Sequence, residues 1–201
     1  MRNLLFFDTE TSGKCDFKAA HDAPRQPRIV QLAALLCAPD GEEVASLNVI
    51  IKPNGWTIPK EAEEIHGISN EQAIECGVPI VDAMRCFLAL ARNSGTFSAH
   101  NLDFDYRLVK GEAMRALVDL EHWPRPICTM KLMTPVCMLP GNYGSFKWPK
   151  LSEAYRHAFN EELQGAHDAL VDVRACKRIY FWMKERSLIP EPWIKTPDLI
   201  L

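Results

Sequence analysis

The sequence predicts a mixed α/β fold in which helices cover a single β-sheet. Five short apolar runs typical of buried strands occur along the chain, and apolar residues at helical spacing lie between and after them. The order is three strands, helices, a strand, a helix, a strand and further helices, which suits a layered α/β domain. The 201 residues show no repeats and no linker between domains. We therefore predict one domain over residues 1–186, followed by an apolar, proline-containing tail at 187–201.

The strands are predicted from apolar runs that end at turn residues. The first run is apolar on both faces, and the second and third are joined by the turn Pro39-Asp40-Gly41. The chain therefore opens with a meander. The predicted strands are residues 3–8, 29–37, 43–52, 96–99 and 127–130.

The helices are predicted from apolar spacing, which is clearest in residues 80–92. Residues 14–27 are polar and contain prolines, and residues 135–149 are rich in Gly and Pro, so both are predicted as loops. Three prolines exclude a long helix from the tail at 187–201. The predicted helices are residues 60–65, 70–76, 80–92, 103–118, 151–159 and 168–185.

Composition narrows the class of protein. The net charge of −3 does not by itself indicate a nucleic-acid binder, which usually has a basic excess. A protein that holds divalent cations in an acidic pocket is the exception, because the ions supply positive charge. Seven cysteines form no C-x-x-C pair, which predicts reduced thiols in a cytoplasmic protein. The sequence has no apolar run long enough to cross a membrane, so no membrane partner is expected.

Carboxylates at the ends of apolar segments are the first candidates for a site. Asp8 and Glu10 end the first apolar run and are two residues apart, so they point to the same face of the strand. Such a pair repels itself and resists loss of hydration. Asp172 lies on the apolar stripe of the last helix, where an ionised carboxylate needs a metal or a cation such as Arg107. The other residues of that stripe are Cys176, Ile179 and Met183.

The segment SAHNLDFD, residues 98–105, supplies a further acid. Asp103 and Asp105 lie about 200° apart on a helix, so only one of them can face inward. Asp105 shares its side with Leu108 and Val109 and is the predicted inward acid. Asp103 is expected to be a first-turn acid or a partner for Arg107.

His167 precedes Asp172 by five residues, about 140° away from its stripe. It is therefore expected in a loop or first turn above the site, although a lone histidine is often an ordinary surface residue. Asp168 is the expected helix N-cap. Carboxylate oxygens from separate elements suit Mg²⁺ or Mn²⁺. Two such ions with a histidine as general base are the apparatus of phosphodiester hydrolysis.

Three segments then resemble a known family. FFDTETSG, HNLDFD and AHDALVD are similar to the three motifs of the DEDDh branch of the DnaQ-like 3′→5′ exonucleases. IPKEAEEIHGIS, ICTMKL and KWPKLSEAY resemble further segments, the last two those of exonuclease X-like and phage-type members. The resemblance covers about residues 3–185. It implies a ribonuclease-H-like five-stranded mixed sheet flanked by helices, two Mg²⁺ ions that Mn²⁺ can replace, and release of nucleoside 5′-monophosphates from a 3′ end.

The resemblance also implies roles for individual residues. Asp8 would contact both ions, Glu10 and Asp172 would complete the site of the nucleophile-side ion, and Asp105 would hold the other. His167 would be the general base. Four further residues match positions that line the pocket of the terminal nucleotide. Each of these residues also has a purely structural interpretation. Thr11 could simply end a strand, His66 could lie in a turn, Asn101 could cap a helix, and Phe104 could pack in the core.

Several features have two interpretations. Thr9 points away from the two acids and is expected to pack. Lys147, Trp148 and Lys150 either contact single-stranded nucleic acid by charge and stacking, or Trp148 is buried beside Pro149. Basic residues in and beside the first loop either guide a strand or, as favoured here, form a solvated face. They are Lys14, Lys18, Arg25 and Arg28.

The leading hypothesis is an exonuclease acting on single-stranded DNA 3′ ends. One alternative is an exoribonuclease on short RNA, since the sequence does not show which atoms meet a 2′-hydroxyl. Another is a proofreading-type subunit that docks a polymerase or another replication or repair protein through its tail. That tail is too apolar for a free end and is favoured to pack on its own domain. Its apolar residues are Leu188, Ile189, Trp193, Ile194, Leu199, Ile200 and Leu201.

Overall fold

A computed structural model describes residues 2–118 and 124–190, and within these residues five strands form one mixed sheet. The sheet order is β3-β2-β1-β4-β5; β1 to β3 pair antiparallel, and β4 and β5 run parallel to β1. This confirms the predicted fold class. The strands are β1 Asn3–Thr11, β2 Ile29–Cys37, β3 Glu43–Ile50, β4 Ser94–Ala99 and β5 Arg125–Cys128.

Seven α-helices are found in the described residues, together with one 3₁₀ turn at Asn142–Gly144. The predicted helices are all present, with ends shifted by a few residues at most. One helix, α5, was not predicted. The helices are α1 Lys60–His66, α2 Asn70–Cys76, α3 Ile80–Arg92, α4 Leu102–Arg115, α5 Thr129–Cys137, α6 Leu151–Phe159 and α7 Ala169–Glu185.

Both faces of β1 are buried, which explains why its sequence is apolar without alternation. Leu5 and Phe7 pack into a core that α3 and α4 cover, whereas Leu4 and Phe6 pack against α7. Side chains alternate along a strand, so the continuation of β1 presents Asp8 and Glu10 on the α7 face of the sheet. Thr9 falls on the α4 face. The core thus fixes where each polar residue at the end of β1 points.

The helix α5 corrects two predictions. The fifth strand was expected to reach residue 130 and a loop to begin at 135, but β5 ends at Cys128 and α5 runs from Thr129 to Cys137. Met130 and Met133 are buried on one side of this helix. Pro135 lies in its last turns, where a missing N–H removes one hydrogen bond instead of breaking the helix in its middle. Tertiary burial therefore outweighs the local proline signal.

The loop between β1 and β2 lies against α4. The Arg107 guanidinium donates hydrogen bonds to the carbonyls of Ala19, at 2.8 Å, and of Phe17, at 3.3 Å. A Cβ on Gly111 would lie 2.3 Å from the carbonyl oxygen of His21, so the loop can approach α4 only at a glycine. Arg107 is thus committed to this loop and does not pair with Asp172, which removes the salt-bridge alternative for that acid.

Two of the loop's basic residues are also held by acids. The Arg25 side chain contacts Asp16 at 2.7 Å, and both are largely exposed. Arg28 forms a two-point ion pair with the buried Glu112, at 2.6 and 2.9 Å. Arg28 is therefore not part of a solvated face, because its guanidinium is largely covered and fixes the loop to Glu112. Guidance of a nucleic-acid strand by the loop remains a prediction.

Three further sequence expectations meet the structure here. All seven cysteines are free thiols. Among the residues that the structure describes, no helix has the length and apolarity that crossing a bilayer would require. The first residues of the tail contact their own domain: Ile189 packs on two core clusters, and the Pro190 carbonyl accepts a hydrogen bond from Arg125 at 3.0 Å. Residues 191–201 lie outside the described part, so the docking role of the tail remains a prediction.

Candidate active site

The fold brings four carboxylates to one edge of the sheet. Because β1 and β4 are parallel, their carboxyl ends meet there. Asp8 and Glu10 are at the end of β1, Asp105 is in the first turn of α4 directly after β4, and Asp172 is in the first turn of α7. This edge is where ligands usually bind in α/β proteins.

Asp105 is buried, with 3% of its surface exposed, and is held by Thr9. Its Oδ1 accepts hydrogen bonds from the Thr9 backbone N–H at 3.1 Å and from the Thr9 hydroxyl at 2.8 Å. The choice of Asp105 over Asp103 as the inward acid is confirmed. Thr9 is buried on the side away from Asp8 and Glu10, as predicted, but its hydrogen bonds to Asp105 were not predicted. Strand parity gives the direction of a side chain, but not which group the facing helix presents to it.

The residues before α7 shape the second half of the site. Asp168 is the N-cap, and its side chain accepts hydrogen bonds from the backbone N–H groups of Leu170 and Val171. His167 precedes it in an exposed, left-handed conformation with φ of 72°. Its backbone N–H donates to Asp172 Oδ2 at 3.1 Å, whereas Asp172 Oδ1 is buried and has no hydrogen-bond partner in the described residues. The predicted loop position of His167 and capping role of Asp168 are confirmed.

These groups lie close enough to bind a cation together. One ligand atom each from Glu10, His167 and Asp172 can be chosen so that all three lie within 4.8 Å of one another. The two carboxylates in this group offer hard oxygen donors, which suit small divalent cations. The unpartnered Asp172 Oδ1 fits such an ion, because a buried carboxylate oxygen without a donor is otherwise costly.

The electrostatics of the site also call for positive charge. Loss of hydration, followed by the neighbouring carboxylates, raises the pKa of Asp8 well above its usual range. The same causes raise the pKa of Glu10 to about 8. Burial raises the pKa of Asp105 to about 7, against the opposing hydrogen bonds from Thr9. The pKa of Asp172 is raised chiefly by burial as well. With these values, Glu10 and Asp105 hold protons part of the time near neutral pH unless a cation replaces them.

Comparison with known proteins shows what this site belongs to. The family model for the RNase T exonucleases matches residues 5–180. The chain belongs to the RNase T exonuclease family. The exonuclease CP81 of Escherichia phage 186 is 30% identical over 175 residues, which cover 85% of this chain and 82% of the phage protein. The predicted family and the prediction of a nuclease are thereby confirmed.

Solved structures with the same fold include two exonuclease I enzymes. E. coli exonuclease I in complex with a dT13 oligonucleotide has a TM-score of 0.74 and 20% identity, over 93% of this chain and 42% of the other. The enzyme from Methylocaldum szegediense has a TM-score of 0.73 and 20% identity, over 92% and 41%. This exonuclease therefore spans about two fifths of the length of these neighbours, which share its fold.

Sequence reasoning missed two polar residues that support the site of this exonuclease. Gln31 is buried on β2 opposite Glu10; its Oε1 accepts from the Ala169 N–H at 3.1 Å, and its Nε2 donates to Asn48 Oδ1 at 3.0 Å. It thus fixes the start of α7. The signal was present, since Gln31 is the one polar residue in the apolar run IVQLAALLC.

The second missed residue is His100, at the junction of β4 and α4. It is buried; its Nδ1 lies 2.9 Å from Thr129 Oγ1 and its Nε2 lies 3.0 Å from the Pro149 carbonyl oxygen. Burial lowers the pKa of His100 to about 4, so it is neutral at physiological pH. His100 therefore ties the start of α4 to α5 and to the segment before α6.

The four predicted substrate residues differ in the internal contacts that they make. His66 accepts a hydrogen bond from the Ile68 N–H at its Nδ1, while its Nε2 is buried without a partner in the described residues. Burial, and after it the charge of His167, lower the pKa of His66. Asn101 is the N-cap of α4, but its side chain makes no capping bond. The structure leaves both of these polar side chains available for a ligand.

The other two have internal roles. The Thr11 hydroxyl donates to the Gly13 carbonyl at 2.7 Å, and Phe104 is half-buried against the core. Their contacts with a nucleotide remain predictions.

Asp103 pairs with Lys131 at 2.7 Å and not with Arg107, because α5, which was not predicted, brings Lys131 beside it.

Proposed function

We propose that this exonuclease removes nucleoside 5′-monophosphates from the 3′ end of single-stranded DNA with the help of two Mg²⁺ ions. The observation that carries the proposal is the convergence of Asp8, Glu10, Asp105 and Asp172 at one sheet edge, with raised pKa values and an unpartnered oxygen on Asp172. Exonuclease I structures that hold dT13 or dA16 oligonucleotides share this fold, which supports single-stranded DNA as the substrate.

The four carboxylates would hold the ions, with Mn²⁺ as a substitute for Mg²⁺. When bound, such ions lower the pKa of a water molecule and stabilise the leaving oxygen of a phosphodiester. The chain positions the acids before any ion arrives. Thr9 fixes one oxygen of Asp105, and the His167 backbone fixes one oxygen of Asp172. The carboxylate oxygens that these bonds leave unused, Asp172 Oδ1 among them, would bind the ions.

His167 is the proposed general base. Its side chain is exposed on a loop beside Glu10 and Asp172, so it can take a proton from an attacking water and pass it to solvent. Its backbone is fixed by the hydrogen bond to Asp172 and by the capped start of α7. The ring is therefore held at the site while it stays accessible to water.

Replacing His167 by Ala should lower kcat by about 10²- to 10⁴-fold, the range for a lost general base. KM should change little, because the residue is proposed to act on the attacking water and not on substrate binding. Steady-state rates on a labelled oligonucleotide between pH 5.5 and 9 measure both effects. His157→Ala, at an exposed histidine on α6, is the matched control and should behave as wild type. A kcat within a few-fold of wild type in His167→Ala would exclude it as the base.

The polarity and substrate are tested with a 20-nucleotide DNA labelled at its 5′ end. With Mg²⁺ we expect a ladder that shortens from the 3′ end, and a 3′-labelled strand should release labelled mononucleotide at once. A folded sample that shortens neither strand with Mg²⁺ or Mn²⁺ would contradict the proposal. RNA of the same sequence, assayed in parallel, distinguishes the exoribonuclease alternative by its initial rate.

A further inference from the structure

Three aromatic side chains are exposed on one loop outside the carboxylate cluster. We call residues 139–150, between α5 and α6, the aromatic loop. Tyr143 is fully exposed, Phe146 is 48% exposed and Trp148 is 63% exposed. The sequence left open whether Trp148 is buried beside Pro149; the structure buries Pro149 and exposes the indole. Large rings grouped in this way on a surface typically mark a binding site.

The aromatic loop is a folded hairpin. The Gly141 N–H donates to the Ser145 carbonyl at 2.9 Å, and the Lys147 N–H donates to the Leu139 carbonyl at 3.0 Å. Pro140 and Phe146 pair as an antiparallel bridge. A ring presented on a fixed backbone loses little conformational entropy on binding, so it contributes more of its contact energy.

The hairpin is attached to the site through His100. The Pro149 carbonyl can only accept, so the His100 Nε2 at 3.0 Å carries the hydrogen and donates it. His100 directly precedes Asn101, the N-cap of the helix that carries Asp105. The exposed Trp148 therefore directly precedes the residue, Pro149, whose carbonyl is hydrogen-bonded to His100 at the edge of the site.

The spacing of the rings and the nearby lysines both suit a nucleic-acid strand, which is a polyanion with flat bases. The backbone is extended at Ser145 and at Lys150, on either side of Phe146 and Trp148. Residues two apart in an extended segment face the same side, so we expect the two rings to share one face. Lys147 between them pairs with Glu153 at 2.6 Å. Three lysines lie in or beside the loop. Two of them are paired with an acid, and Lys150 contributes a further positive charge. Those pairs are Lys147 with Glu153 and Lys131 with Asp103.

We propose that the aromatic loop is a stacking platform for bases of the single strand that leads to the active site, with Trp148 and Phe146 as its main contacts. Stacking on aromatic rings needs no particular base and suits an enzyme that must bind every sequence it degrades. Lys150 supports the platform by contacting the phosphate backbone. This inference rests on the proposed function and adds to it the surface that holds the uncleaved part of the substrate.

The test measures binding separately from chemistry. In an Asp8→Asn background, which prevents degradation, Trp148→Ala should weaken the binding of a fluorescent dT12 about tenfold, as measured by anisotropy. Trp148→Phe should retain most of the affinity, and Ile74→Ala, at an exposed apolar residue on α2, is the control. Lys150→Ala should lower the slope of log K against log salt by about 0.7, whereas Trp148→Ala should leave the slope unchanged.

Otherwise wild-type protein then separates this inference from the proposed function. Trp148→Ala should slow the degradation of dT12 at low substrate but leave hydrolysis of the p-nitrophenyl ester of thymidine 5′-monophosphate unchanged, because that ester has no upstream base. Normal turnover of both substrates by wild type, with unchanged dT12 affinity in Trp148→Ala, would overturn the platform alone. The platform would also be overturned if Trp148→Ala changed the oligomeric state but not the affinity for dT12, since the rings would then pack against another protein surface. Failure of wild type to shorten DNA would instead overturn the proposed function.

Discussion

Asp8→Asn is expected to reduce exonuclease activity by about 10³-fold or more, equivalent to ~4 kcal/mol of transition-state stabilisation. Asp8 lies between Asp105, Asp172 and Glu10, whose charges all raise its pKa. An amide of the same shape keeps the packing but removes the charge shared by both proposed ions. Single-turnover rates on a 5′-labelled oligonucleotide with saturating Mg²⁺ measure the loss.

The same substitution should not destabilise the metal-free protein. Removing one of four mutually repelling carboxylates lowers the cost of folding at pH 8, so the melting temperature of Asp8→Asn in EDTA should equal or exceed that of wild type. Asp103→Asn is the matched control: it makes the same chemical change at a half-exposed acid that pairs with Lys131. It should keep activity within a few-fold of wild type. Equal losses in the two variants, or a lower melting temperature for Asp8→Asn in EDTA, would contradict the site.

The second large effect is a divalent-ion dependence of stability that grows with pH. The acids of the site have raised pKa values, about 8 for Glu10 and about 7 for Asp105. The folded, metal-free protein therefore holds protons that the unfolded chain releases near pH 4. Because the folded state binds more protons, the free energy of unfolding falls as pH rises from about 4 to about 8. Mg²⁺ bound to the ionised acids offsets this loss.

The measurement compares melting temperatures in EDTA and in 5 mM Mg²⁺ at pH 5 and at pH 8. The difference between the two conditions should be small at pH 5, where protons compete with the ion, and several degrees at pH 8. The double variant Asp8→Asn and Glu10→Gln should lose most of the difference at pH 8. A difference that is the same at both pH values would show that Mg²⁺ stabilises the protein at another place.

The positions of the proposed metal ligands were predictable because they follow from local periodicity. Asp8 and Glu10 share a face by strand parity, and helical spacing selects Asp105 over Asp103. His167 could be placed before the last helix because it lies off the stripe of Asp172. Each of these inferences needs only the geometry of one element. The three motifs then gave the family before any packing was known.

Contacts between distant elements could not be predicted in this way. The pairing of Thr9 with Asp105 depends on how α4 sits over β1. The pairing of Asp103 with Lys131 depends on helix α5, which was not predicted because Pro135 indicated a loop. Side-chain spacing within one element carries no information about the distance to another.

The sequence by itself determined the strands, every helix except α5, the family, and the acids that end β1 and begin α4 and α7, because apolar periodicity and motif spacing are local. Only the tertiary structure decided that Thr9 donates to Asp105, that Arg107 holds a loop in place of an acid, and that Trp148 faces solvent. The burial of a side chain and the identity of its hydrogen-bond partner depend on the packing of the whole chain, since a surface that one element covers is no longer available to another.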